Sequence, residues 1–144
     1  MLIVAGVWFM RRNIAVTITP SLLYTVFYLE NGPVERIQRG DYVLFHLENP
    51  ITQELGFDKA IKEAACVGGQ TLVVDRKRYY CDGTYLGTAK EYSLKGERVE
   101  NFKVSGVIPE GSYFVIGHHK DSFDSRYFGF VRKQEVERIA HPLF

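Results

Sequence analysis

Several residues in this chain are of types that do chemistry. Ser122, Asp124 and Arg126 sit together in "SFDSRYFGF", Ser122 to Phe130, where nearly every polar side chain has an aromatic neighbour. A surface loop needs no such rings. A buried loop needs every polar group satisfied, because each unsatisfied one costs roughly 1–3 kcal/mol. The composition of the stretch therefore reads as a rigid polar network that supports something else. His118-His119 could supply a base or a metal pair, but neighbours on a strand point to opposite faces, so surface residues are the simpler reading. Asp121 and Asp124 could be paired carboxylates; a charge pair between Asp124 and Arg126 is the simpler reading. Ser21 follows Thr19-Pro20 and by itself reads as a turn residue. Cys66 and Cys81 lie fifteen apart, with no CxxC or His–Cys spacing for zinc. They are two buried thiols or one disulfide, according to compartment.

The elements that must hold these residues are mostly strands. The chain has 144 residues, 46% hydrophobic and 24% charged, enough for one domain with a real core. Its net charge of +1 gives no bulk basic field for nucleic acid. "NIAVTI", "DYVLFHL", "QTLVVD", "RYYCDGTYLG", "GSYFVIG" and "FGFVRKQEV" all read as strands, with "DYVLFHL" buried on both faces. Asp82-Gly83 is the strongest hairpin signal, and Arg76-Lys77-Arg78 reads as a solvated turn. The expected fold is mainly β, an antiparallel sheet with a small hairpin subdomain. "FDKAIKEAAC" disagrees. It pairs Asp58 with Lys62 and Lys59 with Glu63 at i,i+4, which favours a helix, while its continuation "ACVGGQTLVV" favours a strand.

The N-terminus is expected to stand apart, as residues 1–12 before a single domain at 13–144. "LIVAGVWFM" is nine residues without a polar side chain, then Arg11-Arg12. A spanning helix needs about 20. A buried element, an interfacial anchor and the tail of a longer membrane segment all fit this pattern.

Four segments in order resemble the boxes of type I signal peptidases: "TPSLLYTVF" (Thr19 to Phe27), "RGDYVLF" (Arg39 to Phe45), "AIKEAACVGGQTLVV" (Ala60 to Val74) and "GHHKDSFDSRYFGFV" (Gly117 to Val131). The last is the specific one. The form "SFDSRYFG", the Thr-x-Ser-Leu segment and the short chain look most like the conjugative-transfer TraF-type branch, whose members mature pilin or other precursors of conjugation machinery, some joining the pilin ends into a ring. The runner-up is a general secretory signal peptidase. A rival from another class is a non-catalytic β-domain that scaffolds a secretion or conjugation complex.

The resemblance implies a serine–lysine dyad. Ser21 matches the nucleophile, Lys62 the general base, and Ser122 the serine that orients the lysine. Asp124 and Arg126 match the bracing charge pair. Thr19 matches the side-chain donor of the oxyanion hole, with the Ser21 backbone N–H as the other donor. Tyr127 and Phe128 would keep water from the lysine. A lysine is useless as a base at neutral pH unless burial lowers its pKa by several units. No metal or organic cofactor is implied, and no nucleic acid. The implied partners are a pilin-like precursor bound as an extended strand and the inner membrane surface, on its periplasmic face. In that oxidising setting a Cys66–Cys81 disulfide is expected, formed across paired strands. Tyr24, Glu63, Gly68-Gly69-Gln70 and His118 depart from the family boxes, which have proline, arginine, Pro-Gly-Asp and aspartate there. The resemblance also implies that Lys62 leaves the helical bias of its flank for a strand facing Ser21.

Overall fold

The computed structural model describes residues 7–11, 13–17, 23–48 and 58–144. Among the described residues twelve strands are formed: β1 (Val7–Arg11), β2 (Ile14–Thr17), β3 (Val26–Leu29), β4 (Tyr42–His46), β5 (Lys59–Val67), β6 (Thr71–Asp75), β7 (Arg78–Cys81), β8 (Thr84–Thr88), β9 (Gly106–Val107), β10 (Ser112–Ile116), β11 (Val131–Arg132) and β12 (Val136–Pro142). One helical turn, α1 (Ser125–Phe128), and a 3-10 turn at Lys133–Glu135 interrupt the last part. Eight strands make the larger sheet in the order β1-β2-β3-β12-β4-β5-β10-β11; the smaller has the order β8-β7-β6-β9. The neighbouring strands pair antiparallel. The fold is mainly β with antiparallel sheets.

The segment with conflicting local signals is a strand. β5 lies between β4 and β10: its first half, Lys59 to Glu63, pairs with β4, and its second half, Glu63 to Val67, with β10. Its residues Ala60, Ile61, Lys62, Ala64, Ala65 and Cys66 are all buried. Two flanking ladders and burial on both faces override a modest alanine-based helix preference. The two i,i+4 pairs, which support a helix by only a few tenths of a kcal/mol each, do not form.

Pairing between β5 and β10 slips by one residue. Cys66 faces Phe114 and Ala64 faces Val115, so Ala65 is the extra residue of a bulge. The consequence for packing is direct. Ala60 and Ala64 join a cluster with Val43, Phe45, Tyr113 and Val115. Cys66 joins a different cluster, with Leu72, Tyr79, Cys81 and Phe114, between the larger sheet and the smaller. Simple alternation would have put Cys66 on the same face as Ala64. A third cluster, around Phe27, Leu29, Leu44 and Ile61, fills the other end of the sheet face opposite Val43.

The β7–β8 hairpin closes at Asp82-Gly83, with φ of 46° and 83°. Both central residues at positive φ suit the right-handed twist of the strands. The end of the chain departs from the sequence reading. "FGFVRKQEV" is not one strand: it runs through the end of α1, β11, the 3-10 turn and the first residue of β12. β12 then inserts between β3 and β4, in the middle of the sheet. At the other terminus, residues 7–11 form an edge strand against β2. Among the described residues no helix is long and apolar enough to cross a membrane.

Candidate active site

Lys62 is one of the largest fully buried side chains in the protein, 1% exposed. It pairs with Val43 of β4 and lies between Ala60 and Ala64 on the strand, so it shares their face. Phe128 packs onto that cluster and against the Phe45 ring, 6.2 Å between centroids. The Lys62 amine donates to Ser122 Oγ at 2.7 Å, and Ser122 is itself fully buried. Burial lowers the Lys62 pKa from 10.5 to about 8, while the nearby Asp124 carboxylate raises it and Arg126 lowers it. A lysine of this kind is deprotonated in a good fraction of molecules just above neutrality.

The polarity of "SFDSRYFGF" follows from how β10 ends. β11 pairs only with Ser112 and Tyr113. Farther along β10, the Val115 N–H is taken by Ser125 Oγ at 2.8 Å and the Gly117 N–H by Asp124 Oδ2 at 2.9 Å. Side chains thus replace a partner strand. Asp124 also caps α1 through the Arg126 N–H, at 3.1 Å, and grips the guanidinium with both oxygens, Nε at 2.9 Å and Nη2 at 2.8 Å. Arg126 Nη1 reaches on to the Thr88 carbonyl at 3.1 Å. Burial would lower the Arg126 pKa, but the hydrogen bonds and charge of Asp124 outweigh it and raise it. That contact with β8 depends on a missing side chain: a Cβ on Gly87, whose φ is +154°, would stand 3.2 Å from Arg126 Nη1.

Other expected roles divide. Tyr127 turns away from Lys62; it packs with the cluster under the smaller sheet, and its hydroxyl accepts from the Lys90 N–H at 3.0 Å. Asp121 is not paired with Asp124; it forms an ion pair with Lys90, and that hydrogen bond holds its carboxyl below the usual range. Cys66 and Cys81 form a disulfide with Cα atoms 5.7 Å apart. The two strands are not paired with each other, contrary to the cross-strand expectation: the bridge joins β5 of one sheet to β7 of the other. Thr19 and Ser21, read as oxyanion donor and nucleophile, lie outside the described residues.

His118 is more than the surface residue its position suggested. Its Nε2 lies 2.7 Å from Glu63 Oε2, its Nδ1 accepts from the Leu23 N–H at 3.2 Å, and its ring meets Tyr42 edge-on at 5.9 Å. The Tyr42 hydroxyl pKa is pushed up to about 12 by burial, then by the Glu63 charge and Tyr24. The only signal in the sequence was a box position that carries histidine where the family carries aspartate.

The chain is similar to known proteins. The family model for signal peptidase, peptidase S26, matches residues 1–142. Signal peptidase I of Aquifex aeolicus (strain VF5) is 44% identical over 46 residues, 31% of this chain and 18% of that protein; the match spans far less than two thirds of the relative. A crystal structure of a signal peptidase I from Enterococcus faecalis V583 superposes with a TM-score of 0.46 at 27% identity, covering 74% of this chain and 97% of that one. With a family match from residue 1 to residue 142, this chain belongs to the signal peptidase family of S26 peptidases.

Proposed function

We propose that this chain is a serine endopeptidase in which Lys62 serves as general base for Ser21. The observation that carries the reading is the buried Lys62 amine, anchored to Ser122 Oγ at 2.7 Å, with its pKa lowered to about 8. A structural lysine would gain nothing from a dry pocket, since burial of an ammonium is costly. In the proposed reaction the neutral amine takes the Ser21 hydroxyl proton as Oγ attacks the scissile carbonyl. Thr19 and the Ser21 N–H donate to the oxyanion. The amine of Lys62, now protonated, gives its proton to the leaving nitrogen, and the C–N bond breaks to leave an acyl-enzyme. Water then cleaves the ester, with Lys62 again accepting a proton. Ser122 holds the amine in one rotamer throughout, which the flexible lysine stem cannot do for itself.

The substrate in this reading is an exported precursor, bound extended, with small residues before the scissile bond, at the periplasmic face of the inner membrane. The form of its last box favours a conjugative pilin precursor of the TraF-type branch. If the amine of the same pilin chain replaces water as acceptor, the product is a ring. The test uses purified precursor with Ser21→Ala and Lys62→Ala, each checked for folding by circular dichroism. Both should abolish cleavage, and near-normal processing by either folded variant refutes the dyad. Mass spectrometry of the product separates hydrolysis from cyclisation, because the ring is lighter by one water.

A further inference from the structure

We propose that His118 is a positioning residue for this reaction: it ties the chain just beyond Ser21 to the strand that carries Lys62. The proposal rests on the dyad reading given above. The loop that follows β10 grips β5 on both faces. Ser122 takes Lys62 on one face, and His118 takes Glu63, the next residue, on the other. Through Nδ1 the same imidazole accepts the N–H of Leu23, two residues beyond Ser21.

The donor and acceptor roles fix the tautomer. A backbone N–H can only donate, so Nδ1 must present its lone pair to Leu23. Nε2 then carries the proton and donates it to the Glu63 carboxylate. The groups facing the ring are Glu63 from β5, Tyr42 from β4 and the Leu23 amide. Tyr42 in turn meets Tyr24 edge-on at 6.0 Å. Burial does not hold the Leu23 segment, because its side chain is 79% exposed. At Leu23 itself the contact is a directed polar one, through its N–H to His118. Reacting groups must be held closely, and a displacement of about 1 Å can cost on the order of 10² in rate.

The test compares His118→Phe, which keeps a ring against Tyr42 but has no polar atoms, with His118→Gln, whose amide can accept from Leu23 and donate to Glu63. The substrate is a fluorogenic peptide with Ala-x-Ala before the scissile bond. His118→Phe should lower kcat by roughly 10- to 100-fold with KM within about twofold, at a melting temperature close to wild type. His118→Gln should recover most of that loss. An unchanged kcat in His118→Phe, an effect on KM alone, or a His118→Gln variant no better than His118→Phe overturns the proposal. Nitrogen-15 NMR gives a readout independent of turnover. It should show the Nε2–H tautomer in wild type and a Leu23 amide that exchanges slowly, faster in His118→Phe and slow again in His118→Gln. An Nδ1–H tautomer, or a Leu23 amide indifferent to His118, also overturns it. Ser21→Ala and Lys62→Ala run beside these variants: if they still cleave, the dyad reading fails; if they do not and His118→Phe is fully active, the positioning role alone fails.

Discussion

Replacing Lys62 with methionine should make the protein more stable and inactive at once. The side chain is similar in length, and its site is lined by Ala60, Ala64, Val43 and Phe45. The gap between an ordinary lysine at 10.5 and about 8 in the fold, at about 1.4 kcal/mol per pH unit, corresponds to roughly 3 kcal/mol. Because the folded pKa is the lower, the unfolded chain binds the proton more readily. The penalty is fully present below pH 8, shrinks as pH rises from about 8 to about 10.5, and is absent above that. Lys62→Met removes it but also removes the bond to Ser122, worth about 1 kcal/mol. The variant should therefore gain about 2 kcal/mol at pH 7. It should fall about 1 kcal/mol short of wild type above pH 10.5. Urea denaturation of both proteins at a series of pH values measures the difference directly, and taking the difference cancels tyrosines that titrate in both. A stability difference that stays constant from pH 7 to 10.5, or a Lys62→Met protein that is weaker at pH 7, refutes the reasoning.

Other outcomes are expected from the same geometry. Cleavage rate should rise with pH through about 8 as Lys62 loses its proton, and a pH–rate profile that is flat through this range contradicts a lysine base. Ser122→Ala should lower kcat strongly while costing only about 1 kcal/mol of stability; a fully active variant by peptide assay removes the orienting role. Asp124→Ala leaves the Arg126 guanidinium and the backbone N–H groups of Gly117 and Arg126 without their partner, so its main effect should be a stability loss of about 3–5 kcal/mol by denaturant titration. Gly87→Ala should cost about 1–3 kcal/mol, because φ of +154° strains a side chain and its Cβ crowds Arg126. Opening the Cys66–Cys81 bridge by the double serine variant should cost about 3 kcal/mol by loop entropy, read as a lower urea midpoint.

Much of the site was legible because its residues are unusual for their setting. Charges among aromatic rings at Ser122 to Phe130 signal a buried network whatever the fold, and the network is there. Asp82-Gly83 announces its turn because so few residue pairs accept two positive φ angles. What escaped were features set by partners distant in the chain. The helix signal in "FDKAIKEAAC" is local, and two neighbouring strands overrule it. "FGFVRKQEV" has strand-like residues, but Asp124 caps a helical turn that takes Phe128 out of any ladder. β12 sits centrally because β3 and β4 leave a place between them, which no pattern near Val136 records. His118 meets the Leu23 N–H, 95 positions earlier in the chain.

The bulge at Ala65 turns the length of β5 into a matter of parity. The strand serves two side chains that need opposite sides of the sheet: Lys62 on one, Cys66 on the other. They are four positions apart, an even number, and an even spacing on a regular strand delivers both to the same side. The extra residue makes the effective spacing odd. Deleting Ala65 would therefore be the milder change. It would leave Lys62 and the cysteine three apart on an unbulged strand, again an odd count, and both would keep their sides. Smoothing the bulge at constant length is the damaging change, because it would bring the disulfide partner and the buried amine to one side and leave one of them misdirected. In chains of this kind, spacings of three or five between the lysine and the cysteine should go with a regular strand, and a spacing of four with a bulge.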